Sequence, residues 1–204
     1  MSTVYDDKYR SEGYYYWGKR PSTICYEVLK RMPPECPLKL LDIGCGEGRN
    51  AVFFARNGYQ VTAFDLSTIG AEKTMKLAAE AGTSLVAFKA DLLEYRLEES
   101  YDVLFSTGTL HYIPNELRAE ILDNYKQHTN PEGMHVFSVF VSKPFIPQAP
   151  DAEASAHFWV SGELFTYYHD WMIEFCAEEI FDCTSSGVPH QHAVNRIIAR
   201  RPST

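Results

Sequence analysis

The chain has 204 residues, 45% of them apolar, which suits one domain with extensions, and it contains no apolar run long enough to span a bilayer. A formal charge of −8 disfavours a nucleic-acid partner, which needs a basic surface; the clearest basic cluster is the thin set Arg196, Arg200 and Arg201. The polar, partly acidic start from Met1 to Tyr9 does not read as a secretory signal, and five scattered cysteines show no CxxC pair or metal-ligand spacing, so a cytoplasmic protein with thiols and no metal is expected.

In chain order, Tyr5 to Ser22 is crowded with aromatics (Tyr9, Tyr14, Tyr15, Tyr16, Trp17) and punctuated by Gly13 and Gly18. Ser22 is placed to cap a helix over Thr23 to Arg31, with Ile24, Val28 and Leu29 on one face, before Pro33-Pro34 breaks the chain. Lys39 to Ile43 reads as a strand that enters a glycine run. A helix follows from Arg49 and stops at Asn57-Gly58, a pair suited to a left-handed C-terminus. Gln60 to Phe64 is a second strand ended by Asp65, Ser67 caps a helix ending at Gly82, and Ser84 to Lys89 is a third strand ended by Asp91. Tyr101 to Thr107 is a fourth strand. Pro114 opens a helix with Leu117, Ile121, Leu122 and Tyr125 on one face, and Pro131-Glu132-Gly133 turns the chain into a fifth strand, Met134 to Ser142. A proline-interrupted stretch, Lys143 to Val160, precedes a short helix over Gly162 to Trp171. The last two strands are Ile173 to Cys183 and Ala193 to Ala199.

Strand–helix repeats of this length predict a Rossmann-like α/β fold: a mostly parallel seven-stranded sheet, helices on both faces, right-handed crossovers. Residues 1–204 then form a single domain with an N-terminal extension (1–36) and an insertion (143–172) that serves either as a substrate lid or as an oligomer contact.

The glycine run is informative for what it lacks. A nicotinamide fingerprint has a third glycine three residues after the second; here that position is Arg49, and the glycines fall at 44, 46 and 48. Asp42 precedes them, where a pyrophosphate would be repelled. S-adenosylmethionine (SAM) carries no phosphate, and its ammonium group suits a carboxylate, directly or through water. Glycines let the backbone approach such a ligand closely. Cys45 in this turn reads as a small filler beside the ligand rather than a nucleophile. Asp65 ends the next strand, where a carboxylate accepts hydrogen bonds from two ribose hydroxyls. Asp91 ends the third, where it accepts from an adenine amino group. Ligands in open α/β sheets bind outside the carboxyl ends of the strands, so the three acids point to one crevice.

The segments LLDIGCGEGRNAVFFARNGYQVTAFD (40–65), YDVLFST (101–107), GELFTYYHDW (162–171) and RIIAR (196–200) resemble the class I SAM-dependent methyltransferases, and more narrowly the tellurite-resistance (TehB-type) methyltransferases. The resemblance runs from about Lys39 to the C-terminus. It implies the class I methyltransferase fold, SAM as methyl donor and S-adenosylhomocysteine as product. By the same resemblance Gly44, Gly46 and Asn50 surround the methionine end, Asp65 and the adjoining Leu66 the ribose, and Asp91 with Leu92 the adenine, while Ser106 and Thr107 line the donor channel. The stretch SSGVPHQHAVNR after Thr184 departs from the family, so no substrate-side residue is carried over there.

The sulfonium of SAM is already activated, so the protein chiefly aligns the reactants and excludes water. A metalloid oxyanion or thiolate acceptor needs no base but does need a positive or hydrogen-bonding cradle. His190, His192 and Arg196 supply one if the loop before the last strand folds over the crevice; otherwise they are a polar surface loop and a solvated arginine. His111 is a base, a polar wall or a structural histidine. The Tyr14-Tyr15-Tyr16-Trp17 cluster either covers the cofactor, with cation–π contact to the sulfonium, or simply packs an N-terminal helix. The leading expectation is methylation of a small soft nucleophile such as tellurite, selenite or a thiol. Methylation of another metabolite with His111 as base and a non-catalytic SAM-binding regulatory module are the alternatives. Arg49 and Asp42 count against a nicotinamide oxidoreductase. The expected partner is a small-molecule substrate, with no nucleic acid or membrane, and a homodimer is left open.

Overall fold

Leu40, Leu41, Asp42 and Ile43 are all buried, so β1 (Lys39–Ile43) has no solvent face, the environment of a central parallel strand. The computed structural model, which describes residues 4–150, 153, 155–184 and 187–203, places it in a seven-stranded sheet. The other strands are β2 (Gln60–Asp65), β3 (Val86–Lys89), β4 (Tyr101–Thr107), β5 (Thr129–Val141), β6 (Met172–Cys183) and β7 (His190–Arg200), in the spatial order β3-β2-β1-β4-β5-β7-β6. β1 to β5 run parallel; β7 is antiparallel to both neighbours. The chain moves outward from β1 to β3 and then returns to the other side of β1. The topological switch therefore lies at the carboxyl ends of β1 and β4, where a crevice must open.

Helices cover both faces: α2 (Ile24–Arg31) and α3 (Arg49–Arg56) on one, α5 (Asn115–Gln127) and α6 (Glu163–Thr166) on the other, with α1 (Val4–Tyr9) against α4 (Thr68–Glu80). Val28, Phe54, Val61 and Phe105 fill the first face; Leu41, Phe64, Ile121, Tyr125 and Phe137 fill the second. Ser67 caps α4 as expected, its hydroxyl accepting the Gly70 N–H, and Gly58 ends α3 at φ 97°. Among the described residues no helix is long and apolar enough to cross a membrane.

Several elements differ from expectation. Ser22 does not cap α2 with its side chain: its backbone N–H donates to Asn50 Oδ1 (2.9 Å), and α2 begins one residue later than expected. β3 starts at Val86 rather than Ser84. Pro131–Gly133 is an irregularity inside β5 rather than a turn before it. Thr129 already pairs with Tyr101, Met134 pairs with Val103, and Glu132 takes φ 63° between them. The helix expected over 162–171 keeps only four α-helical residues, and the chain continues through i→i+3 bonds, Phe165 O to Tyr168 N and Tyr168 O to Trp171 N. The aromatic run there is a poor helix former, and Tyr168 is pulled inward to His135 (2.7 Å). β7 begins at His190, not Ala193, because its pairing with β6 extends to Cys183. Residues 151, 152 and 154 of the insertion, 185 and 186 of the divergent stretch, and 1–3 of the extension lie outside the described residues.

Candidate active site

A cavity of about 920 Å³ opens at the switch point, lined by Gly44 and Cys45 after β1, Asp65 and Leu66 after β2, Asp91 and Leu92 after β3, and Thr107 at the end of β4. Gly46 and Asn50 also line it. The fold thus gathers residues far apart in sequence on one rim, because four parallel strands end there. Gly46 holds φ 56°, and a Cβ on it would lie 3.2 Å from the Tyr9 hydroxyl and 3.6 Å from the Trp17 ring. The absent side chain leaves a cradle between the turn and these two aromatics.

The acids differ in how they are used. Asp65 accepts from Gly46 N–H (2.8 Å) with one oxygen and Ser67 N–H (2.9 Å) with the other, which couples the end of β2 to the glycine turn. Burial raises its pKa. Asp91 accepts from Leu93 N–H at 2.8 Å, folding the chain after β3 into a tight turn. Asp42 does not line the cavity: it is buried beneath the turn, and its Oδ2 has no hydrogen-bond partner. Burial, reinforced by the nearby Asp65 carboxylate, pushes its pKa up to about 7. A buried acidic floor with an orphaned oxygen fits a cationic ligand group above the turn.

Asn50 is committed to the scaffold. Its Oδ1 accepts from Ser22 N–H and Cys25 Sγ, and its Nδ2 donates to Thr107 Oγ1 (3.2 Å). Ser106 does not line the cavity; its hydroxyl donates to Ile43 O (2.9 Å) and ties β4 to β1. Strand alternation accounts for this, since neighbouring residues on β4 face opposite ways.

The roof comes from the N-terminal segment. Trp17 lines the cavity and donates from Nε1 to Tyr9 OH (3.0 Å). Glu47, 3% exposed, accepts from Tyr16 N–H (2.6 Å) and Trp17 N–H (3.4 Å) and pairs with Lys73 Nζ at 2.6 Å. Lys73 also donates to the carbonyls of Tyr9, Ser11 and Tyr14. Tyr9, Glu47 and Lys73 were missed by sequence reasoning. Glu47 had a visible signal, a carboxylate inside the glycine run; Lys73 had none, being one of two lysines on α4.

The far wall carries His111, Phe140, Phe158, Phe181, His192 and Arg196. His111 is buried against Tyr112, Phe140 and Phe158, its Nδ1 lacks a partner, and burial, with His192 nearby, depresses its pKa to about 3. It is a neutral imidazole at physiological pH, but its low proton affinity makes it a weak general base. His192 and Arg196 sit on β7 itself, not on a loop, and Arg196 pairs with Glu179 at 2.9 Å. His190 does not line the cavity; its Nε2 lies 2.9 Å from His192 Nε2. Cys183 joins these two histidines in a group with metal-binding donor atoms. No sequence spacing announced it, because cross-strand pairing assembles it. The insertion contributes Ala149, Glu153 and 155–158 to the wall and is anchored by the fully buried Trp159, which pairs with Val141.

The sequence profile of the family described as tellurite resistance protein TehB matches residues 8–189. Hemagglutinin 1 of Eikenella corrodens is 27% identical over 192 residues, covering 92% of this chain and 63% of that protein. A Haemophilus influenzae protein named probable S-adenosyl-L-methionine-dependent methyltransferase TehB is 26% identical over 178 residues, covering 84% of this chain and 61% of the relative. The crystal structure of TehB from Haemophilus influenzae superposes with a TM-score of 0.77 at 22% identity, covering 97% of this chain and 65% of that one. The chain therefore spans less than two thirds of the length of these relatives, and the last likeness establishes the fold.

Proposed function

The chain belongs to the TehB family, and from that premise we propose that it is a SAM-dependent methyltransferase acting on a small-molecule acceptor. The observation that carries this reading is the convergence of the phosphate-averse glycine turn with Asp65 and Asp91 on one cavity roofed by Trp17. In this reading Gly44, Gly46 and Asn50 border the methionine end, with Asp42 acting on the ammonium from beneath the turn rather than by lining the pocket. Asp65 and Leu66 take the ribose, and Asp91 and Leu92 take the adenine. Bound SAM supplies an activated methyl group; the protein's own contribution is alignment and exclusion of water.

The 1–36 segment acts as the cover, locked by Glu47 and Lys73, and the insertion is a wall of the acceptor side. The acceptor is a soft nucleophile such as tellurite, selenite or a thiol. Support comes from the family and from a wall of aromatic rings that also carries the Arg196 guanidinium and the His192 imidazole. His190 holds His192 from behind. His111 serves as a neutral polar wall and needs no proton cycle, which suits an acceptor that arrives deprotonated. Titration calorimetry with SAM, S-adenosylhomocysteine and NADH tests the cofactor half. The two sulfur compounds are expected to bind and NADH to give no heat; silence from both sulfur compounds would overturn it.

A further inference from the structure

We infer that Cys183, His190 and His192 form a binding site for a divalent transition-metal ion of the zinc class. The register of β6 on β7 pairs Cys183 directly with His190 and Phe181 with His192. Directly paired residues share a face of the sheet, as do residues two apart on a strand, so the three side chains project together. One donor atom from each lies within 4.8 Å of the others.

The donor set is one thiol and two imidazoles. Such ligands favour zinc, cobalt or copper over magnesium and calcium, which demand oxygen. The imidazoles are also oriented. His190 Nδ1 lies 2.8 Å from Val188 O, a contact that only its N–H makes favourable, so Nε2 presents a lone pair. The His192 ring packs against both Phe140 (centroids 4.7 Å) and Phe181 (5.6 Å), which limits its swing. The two Nε2 atoms stand 2.9 Å apart. Tetrahedral zinc with bonds of about 2.0–2.1 Å sets its nitrogens roughly 3.3 Å apart, so a shift of a few tenths of an ångström brings this imidazole pair to ligand spacing.

Three protein ligands leave a fourth coordination position, the pattern of sites that exchange ligands rather than of closed structural ones. Cys183 and His192 both line the large cavity, which gives an ion an entry path and turns the fourth position toward the acceptor side. A thiol held there is deprotonated by the ion. Placing the acceptor at that position rests on the methyl-transfer reading; metal binding itself does not.

The test uses the untagged protein, stripped with chelator and titrated with Co²⁺. One equivalent is expected to bind, with visible d–d bands and a near-ultraviolet thiolate-to-cobalt charge-transfer band, and zinc should displace it. Cys183→Ser should abolish the charge-transfer band. His190→Ala and His192→Ala should weaken binding at least roughly tenfold, the lower bound for loss of even an outer-sphere partner. Cys36→Ser, at an exposed thiol elsewhere, should change nothing. X-ray absorption of the zinc-loaded wild type needs no variant and should show one sulfur near 2.3 Å with nitrogens near 2.0 Å. Absence of saturable binding, an all-oxygen/nitrogen shell, or an unchanged charge-transfer band in Cys183→Ser would overturn the site. SAM calorimetry on stripped protein reports on the methyltransferase reading separately.

Discussion

Asp65 offers a sharp perturbation, because its two oxygens face two different backbone donors, Gly46 N–H and Ser67 N–H, at 2.8 and 2.9 Å. Asp65→Asn keeps the shape but has one oxygen. Whichever way the amide is turned, its NH2 meets one of those N–H groups. One charge-assisted bond, worth about 1.5–3 kcal/mol, is lost, and a buried donor is left unsatisfied at roughly 1–3 kcal/mol. Relief of the burial that raises the Asp65 pKa offsets part of this sum of about 2.5–6 kcal/mol, so a smaller net destabilisation is expected. The effect on ligand is separate. If the carboxylate holds both ribose hydroxyls, losing one charged acceptor costs about 2 kcal/mol, or roughly thirtyfold in Kd. Urea unfolding measures the first quantity and SAM titration calorimetry the second, under conditions where the variant is folded. A folded Asp65→Asn protein that binds SAM within about threefold of wild type would refute the ribose assignment.

Asp42 predicts a pH dependence. Its folded-state pKa is raised to about 7 from an ordinary 3.8, so the folded protein holds this proton more tightly than the unfolded chain. Its contribution is intact below about pH 4 and is lost as pH rises through 7, by up to roughly 4 kcal/mol. Relative to wild type, Asp42→Asn should therefore gain stability between pH 4.5 and pH 8 in urea melts; an equal difference at both pH values would contradict this. Glu47→Gln should loosen the roof, with the Tyr16 and Trp17 amides exchanging at least tenfold faster (about 1.4 kcal/mol) while β1 amides keep their protection; unchanged exchange would deny Glu47 its role. Gly48→Ala combines φ 88° with a Cβ 2.8 Å from Thr74 Cα and should cost roughly 2–5 kcal/mol by thermal unfolding, whereas an unchanged Tm would show that α4 yields freely. His111, neutral because burial lowers its pKa to about 3, should contribute no limb to a pH–rate profile between pH 5 and 8; a limb in wild type that vanishes in His111→Ala would restore it as a base.

Strands with local signals were legible in the sequence. β1 and β4 have the expected bounds because buried apolar runs flanked by glycine or charge define them without tertiary help. Asp65 and Asp91 were legible because a strand end fixes where a carboxylate points. What was not legible depends on pairing across distance. The start of β7 at His190 is set by its register on β6, and that same register moves His190 and His192 from a loop to a strand and brings Cys183 beside them. Asp42 and Ser106 were placed on the rim by their neighbours in sequence, yet strand alternation turns both side chains inward. The Glu47–Lys73 pair under the roof joins a turn to a helix 26 residues away, and no local pattern marks such a contact.

The most direct test is turnover with methyl-labelled SAM against a panel of tellurite, selenite, thiols and phenols, followed by mass spectrometry of both products. The expected result is labelled methyl on at least one soft nucleophile, with an equal amount of S-adenosylhomocysteine and none on the phenols. SAM bound but never converted by any member of the panel would contradict the assignment of methyl transfer to this cavity.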